Sequence, residues 1–120
     1  METIWVLVCN RKSALILSAK ARTAAPQIVE TIGNPDESDP LVFARRLAAM
    51  LESAADMGGF DRLVVMAPAP FLASLEDVFH APVRGRIALT IQEDIAEWPM
   101  PEIVASVRKI IDEQVRVAGA

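Results

Sequence analysis

Two uncharged apolar segments of strand length constrain the fold of this chain more than any other feature. Ile4–Cys9 is a continuous run of aliphatic and aromatic residues, and residues 63–67 are wholly apolar. A strand with one face in water alternates apolar and polar residues, whereas a strand that is apolar throughout needs cover on both faces. Both segments are therefore predicted to be central strands of a sheet with helices on either side.

Two more strands are predicted near the first. Residues 10–13 have the composition of a tight turn, and the apolar run 14–19 then pairs with the first strand as a hairpin. The chain turns again around residues 24–26. Residues 27–32 carry β-branched residues with polar residues between them, which is typical of a third, more exposed strand.

The apolar period then changes to that of a helix. Asp39 is placed to cap a helix that begins at Pro40, and Gly58 with Gly59 supplies a stop. Apolar residues recur at three- and four-residue spacing and are predicted to face the core, namely Phe43, Leu47, Met50, Leu51, Ala54 and Met57. The same reasoning predicts a helix over residues 71–79, a break in the chain at Pro82 and Gly85, a fifth strand over 86–91 and a last helix after Pro101.

The predicted order is strand, strand, strand, helix, strand, helix, strand, helix. Right-handed crossovers make the fourth and fifth strands parallel to each other and to the first, which gives the sheet order 3-2-1-4-5. This is an α/β fold of the ribonuclease H-like kind, a mixed five-stranded sheet between helices, expected as one domain over residues 1–120. The third strand would form a sheet edge, and such an edge favours pairing between two copies of the chain.

Composition narrows the classes of function. With 16 acidic and 12 basic residues, a formal net charge of −4 and a pI near 4.9, the chain lacks the basic field typical of nucleic-acid binders. The one cysteine and one histidine allow no disulfide within the chain and no zinc ligand set. We therefore expect no metal and no cofactor. Because no uncharged apolar run reaches the roughly 18 residues of a membrane helix, we also expect a cytoplasmic protein.

Several segments in the same order resemble the bacterial host attachment protein family. They are residues 4–14 (Ile-Trp-Val-Leu-Val-Cys-Asn-Arg-Lys-Ser-Ala), 43–47 (Phe-Ala-Arg-Arg-Leu), 60–68 (Phe-Asp-Arg-Leu-Val-Val-Met-Ala-Pro), Phe71-Leu72, Glu93-Asp94-Ile95 and Trp98-Pro99. The resemblance implies a non-catalytic binding or interaction module with a role in attachment to host cells. In two respects this chain departs from the family: Asn10 stands where aspartate is usual, and the connection before the first helix is short.

The predicted order of strands and helices also resembles that of the middle domain of archaeal and eukaryotic peptide release factors. There a Gly-Gly-Gln loop lies between the third strand and the first helix, whereas residues 33–40 hold no glutamine and no glycine pair. Peptidyl-tRNA hydrolysis is therefore not expected. The acidic residues Asp36, Glu37 and Asp39 would also be repelled by tRNA phosphates.

Nuclease activity on this plan requires carboxylates on the first strand, the first helix and the end of the fourth strand. Neither central strand has an Asp or Glu, Glu52 is the lone candidate on the first helix, and Asp61 should lie at the opposite end of the sheet. A nuclease is therefore not expected either.

The best candidate site follows from topology. Where the chain leaves the first and fourth strands in different directions, their carboxyl ends open a crevice. Asn10, Arg11, Lys12, Ser13 and Pro70 should line it, and with the start of the second helix they would suit a phosphate or carboxylate. The alternative is that residues 10–13 form a polar hairpin turn that lies in solvent and binds no ligand.

Three acidic residues after the fifth strand form a second candidate patch, namely Glu93, Asp94 and Glu97. They could face a partner or a cation, or simply lie in a solvated loop before the last helix. Cys9 at the end of a buried strand is interpreted as a small apolar residue, and His80 as a residue that complements a helix carboxyl end.

Two classes of function stay open. One is the host-attachment type of binding module with an unidentified protein partner. The alternative is a ribosome- or RNA-associated factor, for which Arg11, Lys12, Arg84 and Arg86 would offer phosphate contacts.

Overall fold

The computed structural model describes residues 2–20 and 25–116, with side chains to residue 114. Its strands are β1 (Ile4–Cys9), β2 (Ser13–Ala19), β3 (Gln27–Gly33), β4 (Arg62–Ala67) and β5 (Ile87–Gln92). Its helices are α1 (Pro40–Asp56), α2 (Ala69–Val78), the short α3 (Ala81–Arg84) and α4 (Met100–Ile110), which continues as a wider π-type helix over Ile111–Arg116. The turn predicted around residues 24–26 lies partly outside the described residues.

The five strands form one mixed sheet in the order β3-β2-β1-β4-β5. β1 pairs antiparallel with β2 and parallel with β4, and β4 pairs parallel with β5. The register places Val8 beside Met66 and Cys9 beside Ala14. The α/β architecture and the strand order predicted from the sequence are therefore confirmed.

Two apolar cores lie on opposite faces of this sheet. Alternate residues of β1 and β4, such as Leu7 and Val65, pack toward α1, α2 and α3. The residues between them, such as Val6 and Val64, pack toward Ile103 and other residues of α4. Helices thus cover both faces, which explains why neither central strand alternates with polar residues.

The first helix begins and ends as its sequence predicts. The Asp39 side chain accepts a hydrogen bond from the Val42 amide, Pro40 occupies the first helical position, and Gly58 has a φ of 71°. Met57 was expected in the core, but it is 85% exposed. That expectation was wrong because α1 ends at Asp56 and the glycine turn leads the chain away.

One further element was not predicted. Pro82 and Gly85 were interpreted as breaks, but Ala81–Arg84 forms the short helix α3, with Pro82 near its start and Val83 buried. A proline is compatible with the first turn of a helix because the amide that it lacks would be unpaired there.

The sheet edges differ from its centre. β3 is exposed along most of its length, and Ile28 and Val29 are 48% and 44% exposed. β5 alternates between half-buried and exposed residues. An edge strand with free backbone groups is compatible with pairing between copies, and the homodimer stays a prediction.

The end of the sheet where β1 and β4 begin has its own polar contacts. The Thr3 amide donates to Asp61 Oδ2 at 2.8 Å, and the Arg86 guanidinium donates to the Phe60 carbonyl at 2.7 Å and lies 5.8 Å from the Phe60 ring centroid. Asp61 therefore lies at the amino ends of the central strands, as predicted, away from the crevice at their carboxyl ends. Among the described residues, no helix has the length and apolar character needed to cross a bilayer.

A matched pair of leucines in α1 tests the packing of this core. Leu47 is fully buried and Leu41 is 40% exposed. We predict that Leu47→Ala lowers the free energy of unfolding by about 2–5 kcal/mol, because it leaves a cavity. Leu41→Ala should cost less than about 1 kcal/mol. Urea titration followed by circular dichroism measures both, and equal losses would contradict the assigned face of α1.

Candidate functional site

A cleft of about 250 Å³ lies where the carboxyl ends of the central strands meet. β1 runs into the turn that begins at Asn10, and β4 runs through Pro68 into α2. The loop between β5 and α4 closes the third side. The residues that line the cleft are Asn10, Arg11, Lys12, Pro68, Pro70, Phe71, Asp94 and Glu97.

The cleft joins two groups of residues that the sequence had suggested separately. Asn10, Arg11, Lys12 and Pro70 come from the predicted anion site, and their predicted neighbour Ser13 contributes its backbone amide to the turn. Asp94 and Glu97 come from the predicted acidic patch. Glu93 is exposed and does not line the cleft.

Asn10 connects these two groups. Its side-chain oxygen accepts hydrogen bonds from the amides of Lys12 at 2.8 Å and Ser13 at 3.0 Å. Its side-chain nitrogen donates to Asp94 Oδ1 at 3.0 Å and to Glu97 Oε2 at 3.2 Å. The residue is only 4% exposed, so it is a buried polar group whose donors and acceptor are satisfied.

The charges in the cleft have mixed sign. Lys12 Nζ lies 3.9 Å from Glu97 Oε1 and 3.9 Å from Glu37 Oε1, both longer than a hydrogen bond. Arg11 is exposed, and within the described residues its guanidinium has no ion pair. A phosphate at this place would meet cations that already have acidic neighbours. Whether the cleft takes an anion remains a prediction.

Asn34 fastens the start of the loop between β3 and α1 to the β1–β2 turn. Asn34 donates from its side chain to the Arg11 carbonyl at 2.7 Å and from its amide to the Lys12 carbonyl at 2.9 Å. Hydrogen bonds from the hydroxyl and the amide of Ser38 lower the pKa of Asp36, which keeps this exposed carboxylate ionised. Residues 34–39 therefore form a short acidic turn fastened to the β1–β2 turn.

A second cleft, of about 370 Å³, lies between α1 and the end of α2. Glu52, which the sequence offered as the lone candidate for a nuclease carboxylate on α1, has its Oε1 atom 3.6 Å from His80 Nε2. That oxygen is buried and accepts no hydrogen bond. Asp77 lines the same cleft, but the described residues contain no group of three or more His, Cys, Asp or Glu side chains placed to hold a metal ion.

Cys9 and His80 occupy different environments. The Cys9 thiol is fully buried, and burial followed by the negative charge of Asp94 raises its pKa far above the usual value. The His80 side chain is 77% exposed and lies beside Glu52. The geometry fits the interpretation of Cys9 as a small apolar residue.

Comparison with known proteins identifies the family. The chain matches the bacterial archaeo-eukaryotic release factor family 12 over residues 34–107. This chain belongs to that family. No curated protein matches it, and the resemblance to host attachment proteins finds no support in these comparisons.

Solved structures of similar fold give a consistent result. A structure described as an archaeal protein aligns with a TM-score of 0.61 at 14% identity, over 98% of this chain and 35% of the other. A crystal structure of an archaeal translation termination factor aligns with a TM-score of 0.53 at 12% identity, over 98% of this chain and 41% of the other. At such identities the likeness concerns the fold alone. The release factor family 12 chain thus spans less than half the length of these structures.

Replacing the central amide tests the geometry of the cleft. Asn10→Asp keeps the acceptor for the Lys12 and Ser13 amides but puts a third carboxylate beside Asp94 and Glu97. Like charges raise the pKa of the introduced carboxyl in the folded state, so the penalty is absent at low pH and grows as pH rises. We predict that the free energy of unfolding falls by about 1–3 kcal/mol at about pH 7 and that this loss largely disappears at about pH 4.

Urea unfolding of wild type and variant across this pH range measures the effect. Adding Asp94→Asn to the same variant removes one of the repelling charges and should restore part of the stability. A penalty that does not change with pH would contradict the hydrogen bonds assigned to the Asn10 side chain.

The raised pKa of Cys9 has a direct chemical consequence. We predict that Ellman's reagent at about pH 8 does not modify the native protein on the timescale of minutes, because the thiol is buried and protonated. The same reagent should react fully once urea unfolds the chain. Stoichiometric modification of the folded protein within seconds would show that the end of β1 is accessible.

Proposed function

We propose that this release factor family 12 chain is a ribosome-associated binding domain that does not hydrolyse peptidyl-tRNA, and that it acts in the cytoplasm. The observation that carries the proposal is the family match, which covers α1, β4, α2, β5 and most of α4. The likeness of fold to an archaeal translation termination factor supports it.

The β3–α1 connection supports a role without catalysis. The turn over residues 34–39 contains neither glutamine nor a glycine pair, and Asn34 fastens it to the carbonyls of Arg11 and Lys12. A loop that must place a side chain at a distant ester needs length, and this connection is short and is held by Asn34 to the β1–β2 turn. Its carboxylates Asp36, Glu37 and Asp39 would also repel tRNA phosphates.

Hydrolysis by metal-bound water has no support in the geometry of the central strands. The two-metal arrangement needs carboxylates on neighbouring elements that converge on one phosphate. In β1 and β4 the described side chains are apolar apart from Arg62, and Asp61 lies at the far end of the sheet. The buried strands β1 and β4 position the loops around the cleft.

The basic residues suggested for phosphate contact are largely engaged with the protein itself. The Arg84 guanidinium donates to the Glu76 carbonyl and that of Arg86 to the Phe60 carbonyl, while Lys12 lies between Glu37 and Glu97. Only Arg11, among these four, is described without a polar side-chain contact. Association with the ribosome would then use few phosphate contacts, and its salt dependence should be shallow.

Co-sedimentation with purified ribosomes tests the proposal. We expect the chain to pellet with ribosomes through a sucrose cushion at low salt and to be retained in part at high salt, while an acidic protein of similar size stays in the supernatant. In the same preparation, ribosomes carrying peptidyl-tRNA should release no peptide above background. Absence from the pellet at low salt, or release of peptide, would contradict the proposed function.

A further inference from the structure

The three sides of the cleft at the carboxyl ends of β1 and β4 differ in chemistry. The β1–β2 turn contributes the cations Arg11 and Lys12, and the β5–α4 loop contributes the anions Asp94 and Glu97. Between them lies an apolar side formed by Pro68, Pro70 and Phe71. A cleft of about 250 Å³ with this lining has room for a long side chain that is apolar along its stem and charged at its end.

The acidic side of the cleft has free acceptors at fixed positions. The Asn10 side-chain nitrogen donates to Asp94 Oδ1 and to Glu97 Oε2. These hydrogen bonds hold both carboxylates in the cleft despite their like charge. Within the described residues, Asp94 Oδ2 and Glu97 Oε1 receive no hydrogen bond, and the nearest cation, Lys12 Nζ, is 3.9 Å from the latter. A planar guanidinium carries five N–H donors and can reach two acceptors at once.

The cleft is less suited to a phosphate. Lys12 already has two carboxylates at 3.9 Å, and Asp94, Glu97 and Glu37 would all face an incoming anion. With Glu37 included, three acidic side chains and two basic side chains lie at the cleft, so acidic residues are in excess. The whole chain carries a formal charge of −4, so its long-range field also attracts basic partners rather than nucleic acid.

An apolar surface continues beside the acidic loop. Trp98 directly follows Glu97 and is 47% exposed, and Met100, at the start of α4, is 38% exposed. Tryptophan and arginine attract each other through the ring face and the cation, and half-exposed aromatic residues are frequent in protein interfaces. The surface around the cleft therefore combines negative charge with exposed apolar area.

We infer that the cleft docks a basic protein segment, with one arginine guanidinium between Asp94 and Glu97 and its aliphatic stem along Pro68, Pro70 and Phe71. The charge complementarity and the unoccupied acceptors carry this inference. Its assignment to a segment of a ribosomal protein, rather than to ribosomal RNA, rests on the proposed function. The inference deepens that function by naming the chemistry of the partner.

Peptide binding tests the inference without the ribosome. The probe is a fluorescent peptide with arginines spaced by leucine and proline, and its control carries citrulline, which has the shape of arginine without the charge. We expect fluorescence anisotropy at low salt to show binding of the arginine peptide, and weak or no binding of the citrulline peptide or of a single-stranded RNA oligonucleotide.

Variants assign that binding to the cleft. Asp94→Asn with Glu97→Gln keeps acceptors for Asn10 and removes both charges, and it should weaken binding of the peptide about five- to tenfold. Glu30→Gln with Glu76→Gln removes the same charge from exposed residues outside the cleft and should change affinity less than about twofold. Circular dichroism verifies that each variant is folded.

Three results would overturn the inference. They are absence of peptide binding by the wild type, equal binding of the citrulline peptide, and equal affinity in the two double variants. Preferential binding of the RNA oligonucleotide would replace it with a nucleic-acid site.

The same variants on ribosomes separate this inference from the proposed function. If the wild type pellets with ribosomes and the Asp94→Asn, Glu97→Gln variant does not, both are supported. If both pellet equally, the inference fails and the proposed function stands. If the wild type itself does not pellet, the proposed function fails, and the peptide experiment alone decides whether the cleft takes arginine.

Discussion

The parallel pairing of β1 with β4 is the constraint from which the rest of the structure follows. Both strands are buried on both faces, with Leu7 and Val65 in one core and Val6 and Val64 in the other. Burial of a large aliphatic side chain contributes about 1.5–3 kcal/mol, so neither strand can move to an edge without a large loss of stability. Helices must then lie on both sides, and the carboxyl ends of the two strands must open between diverging connections.

That opening determines where polar residues can gather. Asn10 follows β1 directly, and it satisfies the β1–β2 turn with its oxygen while its nitrogen holds Asp94 and Glu97. A neutral amide can do both, because it is at once an acceptor and a double donor. These hydrogen bonds fix the positions of both carboxylates, and the result is a cleft in which basic and acidic side chains face each other across an apolar side.

Much of this architecture could be predicted from the sequence, because it depends on local patterns. The uninterrupted apolar runs identified β1 and β4, and Asp39 with Pro40 identified the start of α1. The rules of crossover handedness then supplied the sheet order. Met57 was misplaced because helical periodicity does not show where the last turn ends, and α3 was missed because its proline was interpreted as a break.

The candidate site was predicted only in pieces. Its basic turn and its acidic loop are separated by more than half of the chain. The basic residues alone predict an anion site, and the acidic residues alone predict a separate acidic patch. The signal that joins them was available: β5 is parallel to β4, so the residues after both strands must leave the same edge of the sheet. What the sequence could not supply was the Asn10 side chain as the bridge, because hydrogen bonds between distant residues depend on the packed register.

We propose that the chain meets the ribosome through this cleft, and site-specific cross-linking tests that contact. A photoreactive amino acid in place of Arg11 lies at the mouth of the cleft, whereas one in place of Met57 lies beyond α1, near the opposite end of the central strands. After irradiation with ribosomes, we expect cross-links to a ribosomal protein from position 11 and few from position 57. Equal cross-linking from the two positions, or none from position 11, would contradict it.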